Sequence, residues 1–481
     1  MMDQTETGES IECCQTNGEK LPEFLRHHSC LPIEIPETDE FFSKFQRRCM
    51  NFVRSIGICE QNCEKKGTRQ VNSVSSYLDL SPIYGNSRGE NRGLRELLGG
   101  RMRTEIREER WMMPVSSEKS QFCDATSQED ICYVSGDPRT NQNPQLVILQ
   151  TILVREHNRV ANALSALNSH WDDERVFQES RRIVIAQYQH ITYQRWLPLV
   201  IGESYAKQHG LLKKEKYLSD DYDASVNPST IVDFTSGAFR FLHSIIEGNI
   251  STYSPTREPL DNFRLSDHYF RPKVVELGEN FEGFLRGLVT QPMMRCGPFY
   301  HEEISEYLFR STNEYGVDLA AIDIQRGRDH GLPGYNAYRK ICEVEAAENF
   351  DDLIREIPEK DIRKLQSIYE HVNDIDLLVG VSFERRVEDG IIGPTARCLI
   401  AEQFYRTRKG DKFFYDLSNV PKPFTNGQFQ ELAKTSLARI ICEVGGDVWK
   451  MQSNAFKQIS QENSLMDCKE IPRIDLSLWK E

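Results

Sequence analysis

Cysteine most limits what this chain can be. Its 481 residues include thirteen, and they sit close together. Cys13, Cys14, Cys30, Cys49, Cys59 and Cys63 all precede Arg69; Cys123 and Cys132 bracket a short polar loop; Cys342, Cys398, Cys442 and Cys468 lie in the last third. Such density suits an oxidising compartment, where thiols are joined in pairs. A zinc site is the competing reading, but Cys59-x-x-x-Cys63 stands alone without a second pair at ligand spacing. The odd count leaves one thiol over, and Cys296 is the candidate. Up to about residue 70 the chain is polar and broken by Pro22, Pro32 and Pro36, so crosslinks are expected to replace a core there. Which of those six cysteines pairs with which is not readable from spacing.

Beyond that region the apolar pattern is helical. Gly136 to Asn143 reads as a turn opening a long helix, with Pro144 at its first position and Leu146, Leu149, Ile152, Leu153, Val160, Ala161 and Leu164 recurring at helical spacing. A second helix is expected over about Gln178 to Val200, and residues 273–312 read as helical with an acidic surface. There is no repeat, no low-complexity tract and no linker, so the expectation is one large, mainly α-helical domain over residues 1–481. The net charge of -14 argues against nucleic acid or anionic membranes as partners. The longest uncharged run, Thr140 to Val154, is too short to span a bilayer. The opening Met1-Met2-Asp3-Gln4-Thr5-Glu6 is no signal peptide, which conflicts with the cysteine content. The expected resolution is a chain that begins inside a longer protein.

Three stretches carry chemistry. In Gly237 to Ile246, Arg240 and His243 are three apart on an apolar helix and share a face, so an imidazole able to ligate iron lies beside a cation able to hold an anionic group. In Ser75 to Gly85, oxygen-bearing groups recur at alternate places (Ser75, the carbonyl of Tyr77, Asp79, Ser81), a pattern that can wrap calcium, although spacing alone favours a polar turn with an aspartate cap. In Gly316 to Asn336, Asp323 sits among apolar neighbours and so should be buried and paired, fit to hold the far nitrogen of a ligating histidine. Arg328, Asp329 and His330 read instead as a structural ion-pair cluster, and His157, within Arg155-Glu156-His157-Asn158-Arg159, as part of a buried network.

Together these stretches resemble the animal haem peroxidases, and among them the peroxinectin or chorion-peroxidase type of arthropods. The resemblance rests on five segments in family order: Tyr77 to Gly85, Gly136 to Arg139 with Arg155 to Ala161, Phe239 to Ile246, Asp323 to Arg339, and Gly393 to Phe404. It implies a helical domain with haem in its core, oxidation of a small reducing donor by hydrogen peroxide, and secretion of the full-length protein. His243 falls at the proximal iron ligand. Asp323 stands where many members have asparagine, and a carboxylate there is the stronger acceptor for the imidazole proton, stabilising high-valent iron. Arg240 and Arg326 match arginines near the haem propionates, and Arg139 the distal arginine that polarises peroxide. Ser75, Tyr77, Asp79 and Ser81 match the calcium loop. Cys123–Cys132, Cys342–Cys398 and Cys442–Cys468 match disulfides.

The chain departs from the family in three ways. The distal Gly-Gln-x-x-Asp-His-Asp, with its histidine and one calcium aspartate, belongs just ahead of residue 1 and is not among the 481 residues. The calcium site is therefore expected to be incomplete, and catalysis weak in this chain alone, since general acid–base catalysis contributes roughly 10²–10⁴-fold. His27 and His28 follow that position and do not replace it. Gln142 replaces an ester-forming glutamate, and Asn143 the methionine of the sulfonium-linked member, so haem b is expected to be non-covalent. Two alternatives accompany the peroxidase reading. One is an adhesion or binding protein on a peroxidase scaffold, with Lys409-Gly410-Asp411 as a short receptor-binding tripeptide for a cell-surface partner. The other is an inactive haem-binding fragment. The sequon Asn249-Ile250-Ser251 fits secretion.

Overall fold

The computed structural model describes residues 10–58, 69–116, 123–124, 130–212 and 217–481. Cys59 and Cys63 lie outside them. The chain is mainly helical, and every sheet among the described residues has two strands. It divides into two compact units, each assembled from three separate stretches: Met1–Ser73, Thr230–Gly248 and Met294–Gln403 in the first, and Val74–Ser229, Asn249–Met293 and Phe404–Glu481 in the second.

The front of the first unit is stapled as its composition suggests. Cys13 is joined to Cys30 and Cys14 to Cys49. Around these bridges Ile33–Glu34 pairs with Cys49–Met50, and two small clusters form, one of Ile11, Cys13 and Val53 and one of Ile35, Phe42 and Met50. The unit continues with helices Leu319–Asp329, Tyr335–Ile341 and Leu377–Phe383. Asp318 caps the first of these, its carboxylate accepting from the amides of Ala320 (2.8 Å) and Ala321 (3.1 Å). Cys342 is joined to Cys398, and Cys296 is the one free thiol among the described cysteines.

The second unit is built on the helix Pro144–Leu167, which starts at the proline as its pattern predicts; Asn143 caps it by accepting from Leu146 N at 3.0 Å. The second predicted helix begins earlier than expected, at Asp173 behind the Asp172 cap, and runs to Ile191. It packs along Pro144–Leu167, and Val160, Leu164, Val176, Ile183 and Val184 of the two helices are all buried. The hairpin Asn249–Tyr253 with Pro259–Arg264 lies against helix Asn280–Leu288. Contact is close because Gly287 has no side chain; a Cβ there would stand 2.2 Å from the carbonyl oxygen of Ser251. Cys123–Cys132 and Cys442–Cys468 are disulfides.

The 273–312 stretch corrects its expectation twice. Only Asn280–Leu288 makes a helix of length there, because Gly278, Pro292, Gly297 and Pro298 interrupt the pattern. Its acids are only partly a surface: Glu279 and Glu302 are exposed. Glu276, Glu282 and Glu303 are buried, Glu276 held by Arg107 and Lys273 and Glu282 by Arg110.

His157 is a satisfied core histidine. It is 0% exposed, its Nε2 donates to the Gly100 carbonyl at 2.8 Å, and its Nδ1 accepts from the Tyr84 hydroxyl at 2.9 Å. Burial is the main force pulling its pKa down, to about 4. The unfolded imidazole takes a proton near pH ~6.5, whereas the folded one resists until far lower. The stability His157 contributes is therefore complete above that pH and falls as pH drops toward 4, by roughly 3 kcal/mol. Denaturant midpoints of the natural chain and His157→Gln, compared across this range, should show that component of the acid loss only in the natural chain.

Candidate functional site

The first unit holds the candidate site. Residues Ala238–Ile245 form the expected helix, wound as a 3₁₀ helix. In a three-residue turn, positions i and i+3 eclipse. Ala238, Phe241 and Ser244 thus share the buried face, and Arg240 and His243 share another, partly open one. The entry requires glycine: a Cβ on Gly237 would lie 2.4 Å from Leu377 Cδ2 and 2.7 Å from the carbonyl oxygen of Asp233.

Asp323, on the Leu319–Asp329 helix, is 0% exposed and meets both residues. His243 Nδ1 donates to Asp323 Oδ2 at 2.5 Å, while the Arg240 guanidinium bonds Asp323 Oδ1. Arg240 Nε also donates to the Thr235 carbonyl at 3.1 Å. A buried carboxylate is tolerable only with such partners. The carboxylate fixes the tautomer: with the proton on Nδ1, the lone pair of His243 rests on Nε2. Among the described residues Nε2 has no hydrogen-bond partner. That donor set, one imidazole nitrogen left open and its far side held by a carboxylate, fits a haem iron.

Arg326 is placed differently from the other three. Its guanidinium is buried over the Phe52 ring at 4.1 Å, and Nη1 donates to Val53 O (3.0 Å), Ser55 Oγ (3.0 Å) and Asp329 Oδ2 (2.9 Å). Arg328 pairs with Asp376, and Asp329 also receives Arg54 and the Ser55 amide. These contacts make the arginine–aspartate–histidine stretch the structural cluster its residue types suggest. The sequence gives no hint of what the cluster does next. His330 Nε2 meets Ser55 Oγ and Nδ1 meets Ser236 Oγ, both at 2.7 Å. Ser236 immediately precedes Gly237, so His330 pins the start of the segment that carries His243. No local periodicity signals a contact spanning 94 positions.

The remaining candidates belong to the second unit. Arg139 lies in the turn ahead of Pro144, locked two-pronged on Asp137 with Nε to Oδ1 at 2.9 Å and Nη2 to Oδ2 at 2.7 Å. In the Ser75–Ser81 loop, Ser75 Oγ bonds Asp79 Oδ2 at 2.8 Å and the Ser81 amide bonds Asp79 Oδ1 at 3.0 Å. Two hydroxyls, one carbonyl and one carboxylate make a partial shell, short of the roughly six to eight oxygens calcium takes. Among the described residues no group of three or more His, Cys, Asp or Glu side chains is placed to hold a metal ion.

Lys409-Gly410-Asp411 is corrected outright. It is not a surface turn. Asp411 is 7% exposed and accepts from the amide of Phe413 at 2.8 Å and from Gln189 Nε2 at 3.4 Å, and Lys409 Nζ is bound to Asp221 at 2.6 Å. Neither charge is presented to a receptor. Asp411→Ala is expected to lower stability by roughly 1–3 kcal/mol in a denaturant titration, by leaving the Phe413 amide without its acceptor; a midpoint equal to that of the natural chain would contradict this placement.

The profile of the family described as Animal haem peroxidase matches residues 1–456. A peroxidase of Drosophila melanogaster is 41% identical over 471 residues, covering 97% of this chain and 68% of its own length. A chorion peroxidase of the same organism is 37% identical over 484 residues, covering 99% of this chain but only 59% of its own length. The solved structure of peroxidase A from Dictyostelium discoideum superimposes with a TM-score of 0.77 at 29% identity, over 90% of this chain and 83% of that one.

Proposed function

This chain belongs to the animal haem peroxidase family, and on that premise we propose that it holds haem b through His243 and serves hydrogen-peroxide-dependent oxidation of a small reducing donor. The observation that carries this reading is His243 with Nδ1 held by buried Asp323 and Nε2 unengaged. Bound haem supplies the redox chemistry, a two-electron reaction with peroxide followed by two one-electron oxidations of donor. The residues of the chain supply the setting. Asp323 accepts the hydrogen bond from the imidazole N–H and so fixes the ring with its Nε2 lone pair free for the metal, while Arg240 shares the same carboxylate and keeps it in place. Arg139 keeps Nη1 clear of Asp137 and is the donor proposed to polarise peroxide. Gln142 and Asn143 leave the haem without a covalent link to that turn. Ser75, Tyr77, Asp79 and Ser81 form the part of a calcium shell that this chain provides. Five disulfides among the described cysteines support an extracellular setting.

No Gly-Gln-x-x-Asp-His-Asp stands among these 481 residues, so the chain alone is expected to bind haem yet turn over slowly, by roughly 10²–10⁴-fold relative to a form with a distal base. The test is to titrate haem b into the purified chain and follow the Soret band, then assay peroxide-dependent oxidation of a phenol. Stoichiometric haem uptake with slow turnover is the expected pair of results. Failure to bind haem would overturn the reading, and fast turnover would overturn only the role given to a distal base.

A further inference from the structure

The helix that carries Asp323 grips the His243 segment twice. Asp323, Arg326 and His330 fall on one face of Leu319–Asp329 and its cap, at successive steps of three and four positions. Asp323 takes the ring of His243. Seven positions later His330 takes Ser236, which itself lies seven positions before His243. The two contacts run antiparallel and bracket equal spans of the two elements.

The segment needs such anchors. Three-residue turns make poorer hydrogen bonds than α-helical ones, so eight residues of them hold little rigidity of their own. The far end is tied by Ser244, whose hydroxyl donates to the Phe241 carbonyl at 2.8 Å and accepts from the Gly297 amide at 3.3 Å. The near end is tied at Ser236, which is 2% exposed. His330 is fixed in turn from its other nitrogen: Nε2 meets Ser55 Oγ, and that oxygen also accepts from Arg326 Nη1 at 3.0 Å. Burial pulls the pKa of His330 down, so the ring is neutral, with one nitrogen to donate and one to accept. Either serine hydroxyl can take either part. A continuous path therefore runs from the crosslinked front of the unit, through Ser55 and His330, to the residue before Gly237.

We propose that His330 is a positioning residue for His243: through Ser236 it fixes where the 3₁₀ segment starts, and together with Asp323 it sets the direction in which Nε2 points. This rests on the reading of His243 as the haem ligand. The test compares the haem-loaded natural chain with Ser236→Ala, Ser55→Ala and Ser55→Thr; Ser55 is half-buried, so an added methyl group has room. In the reduced form, the iron–histidine stretching band of the resonance Raman spectrum reports how the ring meets the metal. Both alanine variants should shift or broaden that band and lose haem to excess apomyoglobin several-fold faster than the natural chain. Ser55→Thr keeps a hydroxyl and should behave as the natural chain does. In the haem-free chain, the amides of Ala238–Ile245 should exchange faster in Ser236→Ala. A role in stability alone would lower the denaturant midpoint and leave the band where it was. An unchanged band and haem-loss rate in both alanine variants overturns the proposal, as does a Ser55→Thr variant that behaves like Ser55→Ala. A natural chain without an iron–histidine band overturns the reading of His243, and the proposal with it.

Discussion

His243→Ala is expected to weaken haem binding by on the order of 100-fold or more, read from a Soret titration of the purified chain. Every other described contact in the cluster survives this change: Arg240 still meets Asp323, and His330 still pins Ser236. The loss should therefore be local, with the unfolding midpoint moving far less than the affinity. Added free imidazole should restore part of the absorption band, because alanine leaves room where the ring stood and Asp323 still offers an acceptor for the far nitrogen. An unchanged affinity, or a band that imidazole cannot alter, would remove His243 from the role of axial ligand.

Asp323→Ala should strike stability instead. It deletes a carboxylate with no solvent exposure on which the His243 N–H and the Arg240 guanidinium both depend. Removing one partner of a buried charge pair costs about 3–5 kcal/mol, since the other charge stays behind unpaired. Asp323→Asn separates the two duties of this side chain. Its amide oxygen can still accept from His243, so haem affinity should fall less than in the alanine variant, where loss of an imidazole-orienting partner weakens metal binding roughly 10–100-fold. Its amide NH₂ group, however, meets the donating guanidinium of Arg240, so much of the stability loss should remain. Denaturant midpoints and haem titrations of both variants give the four numbers needed. Equal midpoints for natural, alanine and asparagine forms would show that the carboxylate is not the partner described.

What the sequence made legible follows from the range of each interaction. The start of Pro144–Leu167 was readable because a proline and a helical period lie within one short window. Burial of Asp323 was readable from its apolar neighbours, and the eclipsed pair Arg240 and His243 from a spacing of three, which holds for either type of helix. The pairing of Cys13 with Cys30 and Cys14 with Cys49 was not, because spacing does not set geometry across loops. Nor was the commitment of Arg326 to Val53, Ser55 and Asp329, which brings in a segment more than two hundred positions earlier. The 273–312 expectation failed where glycine and proline outweighed composition, and the reading of Asp411 failed because a three-residue motif carries no information on burial.

The order in which the chain leaves the ribosome gives the split of the first unit a temporal meaning. Cys30 follows Cys13 by 17 residues and Cys49 follows Cys14 by 35, so the front staples can close almost as soon as they emerge. His243 must wait a further 80 residues for Asp323, ~4–16 s at ordinary rates of synthesis. Until then its segment has Phe241 and its neighbours without the partners that cover them in the folded chain. The staples mature first, and the orientation of the histidine is among the later events of biogenesis. Haem inserted before Asp323 emerges would meet an imidazole free to turn, and haem inserted afterwards would meet one already aimed.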